Sequence, residues 1–266
     1  MSLDRVTAAG CALLRRGGTG TPLVLLHGIG SDAESWGPLI AALDPARPVL
    51  AWDAPGYGAS APLTPEAPSP ADYAARLLAV FDALGIGRAV VVGHSLGCLF
   101  TGAFAAAHPD RVAAAAFLSP ALGYAVPAGA PLPPAVQARI DDLAALGPAA
   151  FAEKRASRLV FEPERKPQVL AGVRRAMSAV NLPGYAQAVR ALGAGRLLDD
   201  ARRVMAPALV AIGAEDVVTP PANAHRLHPL LPDPAGPVRI IPGCGHALPQ
   251  EAPAEVAALL EALHVG

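Results

Sequence analysis

Short apolar runs recur along the chain with helical patterns between them, and this rhythm constrains the fold more than any other feature. The runs are PLVLLH (22–27), PVLAWD (48–53), AVVVGH (89–94), VAAAAFL (112–118), PALVAIG (207–213) and PVRIIPG (237–243). They are largely apolar along their length instead of at every second position, as strands covered on both faces of a sheet are. Helical patterns near 35–43, 70–84, 96–107, 220–231 and 250–264 fall between and after them. Alternation of this kind predicts βαβ units around a mostly parallel sheet. Residues 5–16 are expected to add an antiparallel edge pair.

The interval 120–205 breaks the rhythm. It follows a Pro/Gly-rich stretch, SPALGYAVPAGAPLPP (119–134), and shows helical segments near 134–146, 148–160, 166–180 and 183–193 but no strand pattern. Its charge differs too: twelve Arg and Lys stand against seven Asp and Glu, a net +5 that leaves −6 for the rest of a chain whose formal net charge is −1. The expected organisation is a core domain of 1–119 and 206–266 with a helical cap, or lid, inserted at 120–205. A second Pro-rich cluster, APLTPEAPSP (61–70), reads as a surface loop before a helix.

With 266 residues the chain suits one large domain with an insertion. A near-neutral charge and the lack of a basic run argue against nucleic acid as a partner. The apolar runs are too short to cross a bilayer, and MSLDRVTAAG lacks the apolar core of a secretory signal. Three scattered cysteines (Cys11, Cys98, Cys244) make no disulfide framework, so a reducing cytoplasm is expected. No His/Cys/Asp cluster has metal-ligand spacing and no Gly-rich phosphate loop follows a strand, so neither metal nor cofactor is expected. The expected partner is a small molecule.

One strand-to-helix junction carries a chemical signature. Gly93-His94-Ser95-Leu96-Gly97 fits G-x-S-x-G directly after an apolar run and at the start of a helical pattern, the context of a nucleophile elbow. The flanking glycines leave room for a tight turn, and the helix beginning at Leu96 directs free N–H groups at the serine. A serine hydroxyl attacks a carbonyl only when a base removes its proton and an acid orients that base. IGAEDVVTP (212–220) offers Asp216, with Glu215 as a rival, and IPGCGHALPQE (241–251) offers His246, each just past a strand. Donors for a developing oxyanion are expected from the backbone N–H of Leu96 and, in LLHGIGSDAESW (25–36), of Ile29. His27 in that loop is read as an organiser of the turn. Taken singly, Asp216 is equally at home capping a turn, and His246 as a loop histidine.

The set HGIG, DAPGYGAS (53–60), GHSLG, GAEDVVTP and GCGH resembles the α/β-hydrolase fold family, in order and across nearly the whole chain, fading only in 120–205. The resemblance implies an eight-stranded, mostly parallel sheet, a helical cap after the sixth strand, and hydrolysis through an acyl-serine intermediate. It implies the order Ser95, Asp216, His246, and its spacing favours Asp216, four residues before Pro220, over Glu215. It gives Gly56 and Gly58 a backbone role and Asp53 a structural one. Within the family the chain is most similar to the small bacterial esterase and enol-lactone hydrolase group. The serine nucleophile disfavours the dehalogenase and epoxide hydrolase branches, which use Asp, and Ile29 departs from the aromatic residue common in cofactor-free haloperoxidases. Carbon–carbon bond hydrolases of vinylogous diketones would share the triad but usually carry Trp where this chain has Ala247. A slow-turnover ligand sensor is the alternative from another class.

Substrate contacts are less constrained. Trp36, Tyr57 and Tyr124 are candidates for the pocket mouth, with packing as the competing role. Arg155 or Arg158 could pair with a substrate carboxylate. The alternative is a solvated helix face whose charge is offset by Glu153, Glu162 and Glu164. Cys98 and Cys244 are expected as small packing residues.

Overall fold

Eight strands form one sheet in the order β1-β2-β4-β3-β5-β6-β7-β8 in the computed structural model, which describes residues 3–263. β1 (Asp4–Ala8) and β2 (Cys11–Arg16) are the antiparallel edge pair expected for residues 5–16. β2 also runs antiparallel to β4 (Val49–Trp52), and every later pairing is parallel. The remaining strands are β3 (Leu23–Leu26), β5 (Ala89–His94), β6 (Val112–Leu118), β7 (Ala208–Gly213) and β8 (Arg239–Ile241).

Two apolar layers explain why the central strands are uniformly apolar. Along β3, Val24 and Leu26 face one layer while Leu23 and Leu25 face the other; Val91 and its neighbours Val90 and Val92 in β5 divide the same way. Successive side chains on a strand point to opposite faces, so only a strand covered twice needs apolar residues at every position. On one side α2 (Pro70–Ala83) and α3 (Gly97–Ala107) supply aromatic packing, with Tyr73 stacked on Phe100 at 4.1 Å. On the other lie α1 (Gly37–Ala42), α9 (Leu248–Glu251) and α10 (Pro253–Glu261), burying Leu39, Leu248, Val256 and Leu260.

The last helical pattern, 250–264, is thus two helices. Pro253 supplies no N–H and begins a new first turn, breaking the run at Ala252; residue 264 lies outside the described residues. The 220–231 pattern gives α8 (Pro221–Leu227) followed by a 3₁₀ turn, His228–Leu230.

Between β6 and β7 the chain is helical: α4 (Pro134–Arg155), α5 (Pro167–Ser178), α6 (Leu182–Ala194) and α7 (Leu197–Ala201). α4 breaks where the sequence pattern does, because Gly147 takes φ 71° and ψ 164° ahead of Pro148. No helix among the described residues is long and apolar enough to cross a membrane.

The strand order fixes where a ligand can sit. From β3 the sheet grows outward in one direction through β4 and in the other through β5. The crevice past the carboxyl ends of β3 and β5 is therefore the switch point at which α/β sheets bind ligands. Leu26 pairs with Gly93 there, which sets the His27–Ile29 loop beside Ser95.

Candidate active site

Ser95 occupies the tip of the turn from β5 into α3 with φ 53°, a left-handed conformation that costs a non-glycine residue about 1 to 2 kcal/mol. Three backbone bonds hold it there. Its N–H donates to Leu118 O at 2.9 Å, and its carbonyl accepts from Cys98 N at 3.0 Å and Ala121 N at 3.3 Å. The glycines of the motif answer to crowding. A Cβ on Gly97 would lie 2.0 Å from Leu26 O, and one on Gly93 would lie 2.5 Å from Gly97 O. Cys98 is buried beneath the turn, where its thiol donates to Gly93 O at 3.2 Å and burial pushes its pKa well up. It is a packing residue, as expected.

Two further strand ends bring their residues to the same place. His246 Nδ1 lies 2.9 Å from Asp216 Oδ2, with both side chains buried. Asp216 follows β7, and its carboxylate is fully engaged: Oδ1 accepts from Val218 N at 2.8 Å and Thr219 N at 2.9 Å, while Thr219 Oγ1 donates to Oδ2 at 2.9 Å. Burial works to raise the Asp216 pKa. The hydrogen bond and charge of His246 and the two backbone donors outweigh it and hold the group at about 2. An ionised carboxylate can only accept, so Nδ1 of His246 carries the proton and Nε2 is left with a lone pair. Glu215 is turned elsewhere, with Oε2 accepting from Cys244 N at 3.0 Å. The geometry therefore pairs His246 with Asp216 and not with its neighbour.

The loop carrying His246 is fastened on several sides. His94 Nε2 donates to His246 O at 2.7 Å. Burial, reinforced by the neighbouring His246, takes the His94 pKa down to about 3, so this imidazole stays neutral. Glu251, whose side chain is 0% exposed, accepts from Gly245 N at 2.9 Å and from Phe161 N at 3.0 Å. Lys166 Nζ completes the junction at 2.7 Å from Glu251 Oε2 and 2.5 Å from Gly243 O. Phe161 and Lys166 belong to the segment between β6 and β7, so one buried carboxylate ties that segment to the histidine loop. The sequence reading missed it: no local pattern links residues 85 apart.

The loop after β3 is ordered by His27. Its Nδ1 donates to Gly28 O at 2.8 Å and its Nε2 accepts from Ala54 N at 3.0 Å, which requires a neutral ring; burial keeps its pKa low. Among the described residues, neither the N–H of Ile29 nor that of Leu96 is engaged by another protein group. Asp53 accepts from Ala33 N at 2.9 Å, the structural part assigned to it. A Cβ on Gly56 would lie 2.7 Å from Gly184 Cα, so its missing side chain lets the DAPGYGAS loop meet α6.

These elements enclose a cavity of ≈ 320 Å³ lined by Ser95, His246, Ile29 and Leu96. Tyr124, 50% exposed, Arg155 and Arg158 also line it. Trp36 does not. It is 2% exposed, packs edge-on to His94 at 6.3 Å, and borders a smaller recess of ≈ 40 Å³ beside Ser95 and His246. Tyr57 is also buried, its hydroxyl accepting from Gly30 N at 3.3 Å. Among the described residues no group of three or more His, Cys, Asp or Glu is placed to hold a metal ion.

Comparison with known proteins agrees with this architecture. Residues 21–253 match the family described as alpha/beta hydrolase fold. The chain is 33% identical over 245 residues to the dihydrolipoyllysine-residue acetyltransferase component of an acetoin cleaving system from Pseudomonas putida, covering 89% of this chain and 61% of that protein's length. Among solved structures it resembles a thermophilic esterase from Thermogutta terrifontis, with TM-score 0.84 and 25% identity over 97% of each chain. It also resembles the enol-lactonase from Burkholderia xenovorans LB400, with TM-score 0.82 and 27% identity over 97% of this chain and 98% of that one. With strand order, switch-point crevice and serine turn in place, the chain belongs to the α/β-hydrolase fold family.

Proposed function

We propose that this protein is a serine hydrolase that cleaves a carboxylic ester or lactone of a small molecule through an acyl-serine intermediate. Ser95 Oγ attacks the carbonyl carbon as His246 Nε2 takes its proton, and Asp216 holds the imidazole in the required tautomer and stabilises its cation. The free N–H groups of Ile29 and Leu96 receive the oxyanion, where each such donor contributes roughly 3 kcal/mol to the transition state. His246 returns its proton to the leaving alcohol, then activates the water that releases the acyl group. The segment 120–205 acts as the lid over this site.

The observation that carries the reading is the buried Asp216–His246 pair on the same cavity as a serine held at positive φ. Strain at one residue of a ligand cavity is a mark of function. Likeness to an esterase and to an enol-lactonase supports the substrate class. Three free, buried cysteines suit a reducing compartment such as the cytoplasm.

The test is steady-state hydrolysis of p-nitrophenyl esters from acetate to octanoate, alongside an aliphatic lactone, with Ser95→Ala as control. Turnover that disappears in the variant supports the proposal. Turnover retained in Ser95→Ala, or none with any ester or lactone, contradicts it.

A further inference from the structure

The cavity carries more positive charge than ester hydrolysis requires. Arg139 and Arg155 of α4, Arg158 just after it and Arg226 of α8 all line it, and no Asp or Glu does. Two of the three acids that could offset them in the sequence are spent elsewhere: Glu153 pairs with Arg174 at 3.1 Å and Glu162 with Arg165 at 2.8 Å. Only Arg155 has a carboxylate partner, Asp142 at 2.9 Å, and Asp142 also serves Lys154 at 2.9 Å. Arg155 Nε is buried with no hydrogen-bond partner. Among the described residues, Arg139, Arg158 and Arg226 make no ion pair; Arg158 reaches only the carbonyl oxygen of Val217, at 3.5 Å.

Guanidinium groups sharing one cavity repel each other, less at the exposed Arg158 and Arg226 and more at the half-buried Arg139 and Arg155. An anion among them reverses the sign of that interaction. Arginine also presents a planar fork of donors that matches a carboxylate two bonds at a time, which a lysine cannot do. A neutral ester would leave Arg139, Arg158 and Arg226 without a counter-ion.

We infer that the substrate is an ester or lactone that itself carries a free carboxylate, held by Arg139, Arg155, Arg158 and Arg226 while its scissile carbonyl lies at Ser95. The inference rests on the hydrolytic reading above and narrows it. The arginines come from both the 120–205 segment and the core helix α8, so a bound carboxylate bridges the two.

The test compares a matched pair of p-nitrophenyl esters, the butyrate and the hemiglutarate, on the full chain. The wild type is expected to favour the hemiglutarate by about tenfold or more in kcat/KM, with the preference shrinking at high salt. Arg158 and Arg226 are exposed, so the double variant Arg158→Gln/Arg226→Gln should fold. It should lose most of that preference through KM. A wild-type ratio within about twofold, or a preference that the double variant retains, overturns the inference while ester hydrolysis stands.

If neither ester turns over, the hydrolytic reading fails its kinetic arm, and calorimetry with glutarate on Ser95→Ala still decides the site. Saturable binding lost in the triple variant carrying both Gln changes supports it, and no binding overturns it. Tighter binding of inorganic phosphate than of glutarate overturns the carboxylate assignment.

Discussion

The serine turn and the helical segment between β6 and β7 line the same cavity but differ in their outer contacts. Around Ser95 the backbones themselves touch: a Cβ on Gly97 or on Gly213 would fall 2.0 or 2.2 Å from a carbonyl oxygen. That packing leaves the turn one arrangement. The helical segment also buries apolar residues such as Phe151, Tyr185 and Leu192, but it adds ion pairs with much of their surface in water, such as Arg174–Glu153 with side chains 41% and 65% exposed. Such pairs contribute about 1 kcal/mol or less each. On the proposed function, the packed turn sets where the carbonyl is attacked, and the arginines of the segment select what is admitted.

The first way to break this contrast is at the relay itself. Asp216→Asn should lower kcat by about 10⁴-fold, because an amide cannot enforce the Nδ1–H tautomer of His246. Glu215→Gln, whose carboxylate only anchors the Cys244 backbone, should stay within about tenfold of wild type. Equal losses in the two variants would undo the assignment.

Glycine substitutions then compare the two regions directly. Gly97→Ala should destabilise the protein by about 3 kcal/mol or more, since neither Leu26 nor the elbow can retreat without moving the sheet. Gly172→Ala, inside α5 with nothing within 4 Å of the new methyl, should stabilise by about 0.5 to 1 kcal/mol. Chemical denaturation of both variants measures the difference.

Acid sharpens it further. The folded-state pKa of Asp216, about 2, lies below its ordinary value of 3.8. Ionised Asp216 therefore contributes stability that is present above about pH 4 and is lost as pH falls toward 2. The contribution is about 2 kcal/mol, and Asp216→Asn should lack that part of the acid limb. Urea midpoints across this range would show it. The smallest effect belongs to the segment's contact with the core. Arg175 holds Asp32 through two bonds of 2.8 and 2.9 Å while 45% exposed. Arg175→Ala should cost about 1 kcal/mol or less, and less still in high salt, read from Tm at two ionic strengths.

Which parts were legible in the sequence follows the same division. Strands buried on both faces must be apolar throughout, so five runs located β3 to β7, whereas the 237–243 run yields only the three residues of β8, an edge strand with Arg239 and Ile240 exposed. Ser95, Asp216 and His246, the residues proposed to react, each follow a strand within a short motif, and the family's spacing favours Asp216 over Glu215. Glu251 and Lys166 escaped because their contacts join residues far apart in the chain, and Arg139 and Arg226 because their place on the cavity depends on which helix face meets it. Trp36 shows the converse: the sequence leaves the pocket mouth and packing both open to it, and its ring turns inward against His94.

The most direct measurement is peptide mapping after reaction with a fluorophosphonate, carried out on the wild type, Ser95→Ala and His246→Ala. The account predicts one adduct, on Ser95, absent from Ser95→Ala and formed far more slowly in His246→Ala. An adduct on another residue, or none on the folded wild type, would contradict it.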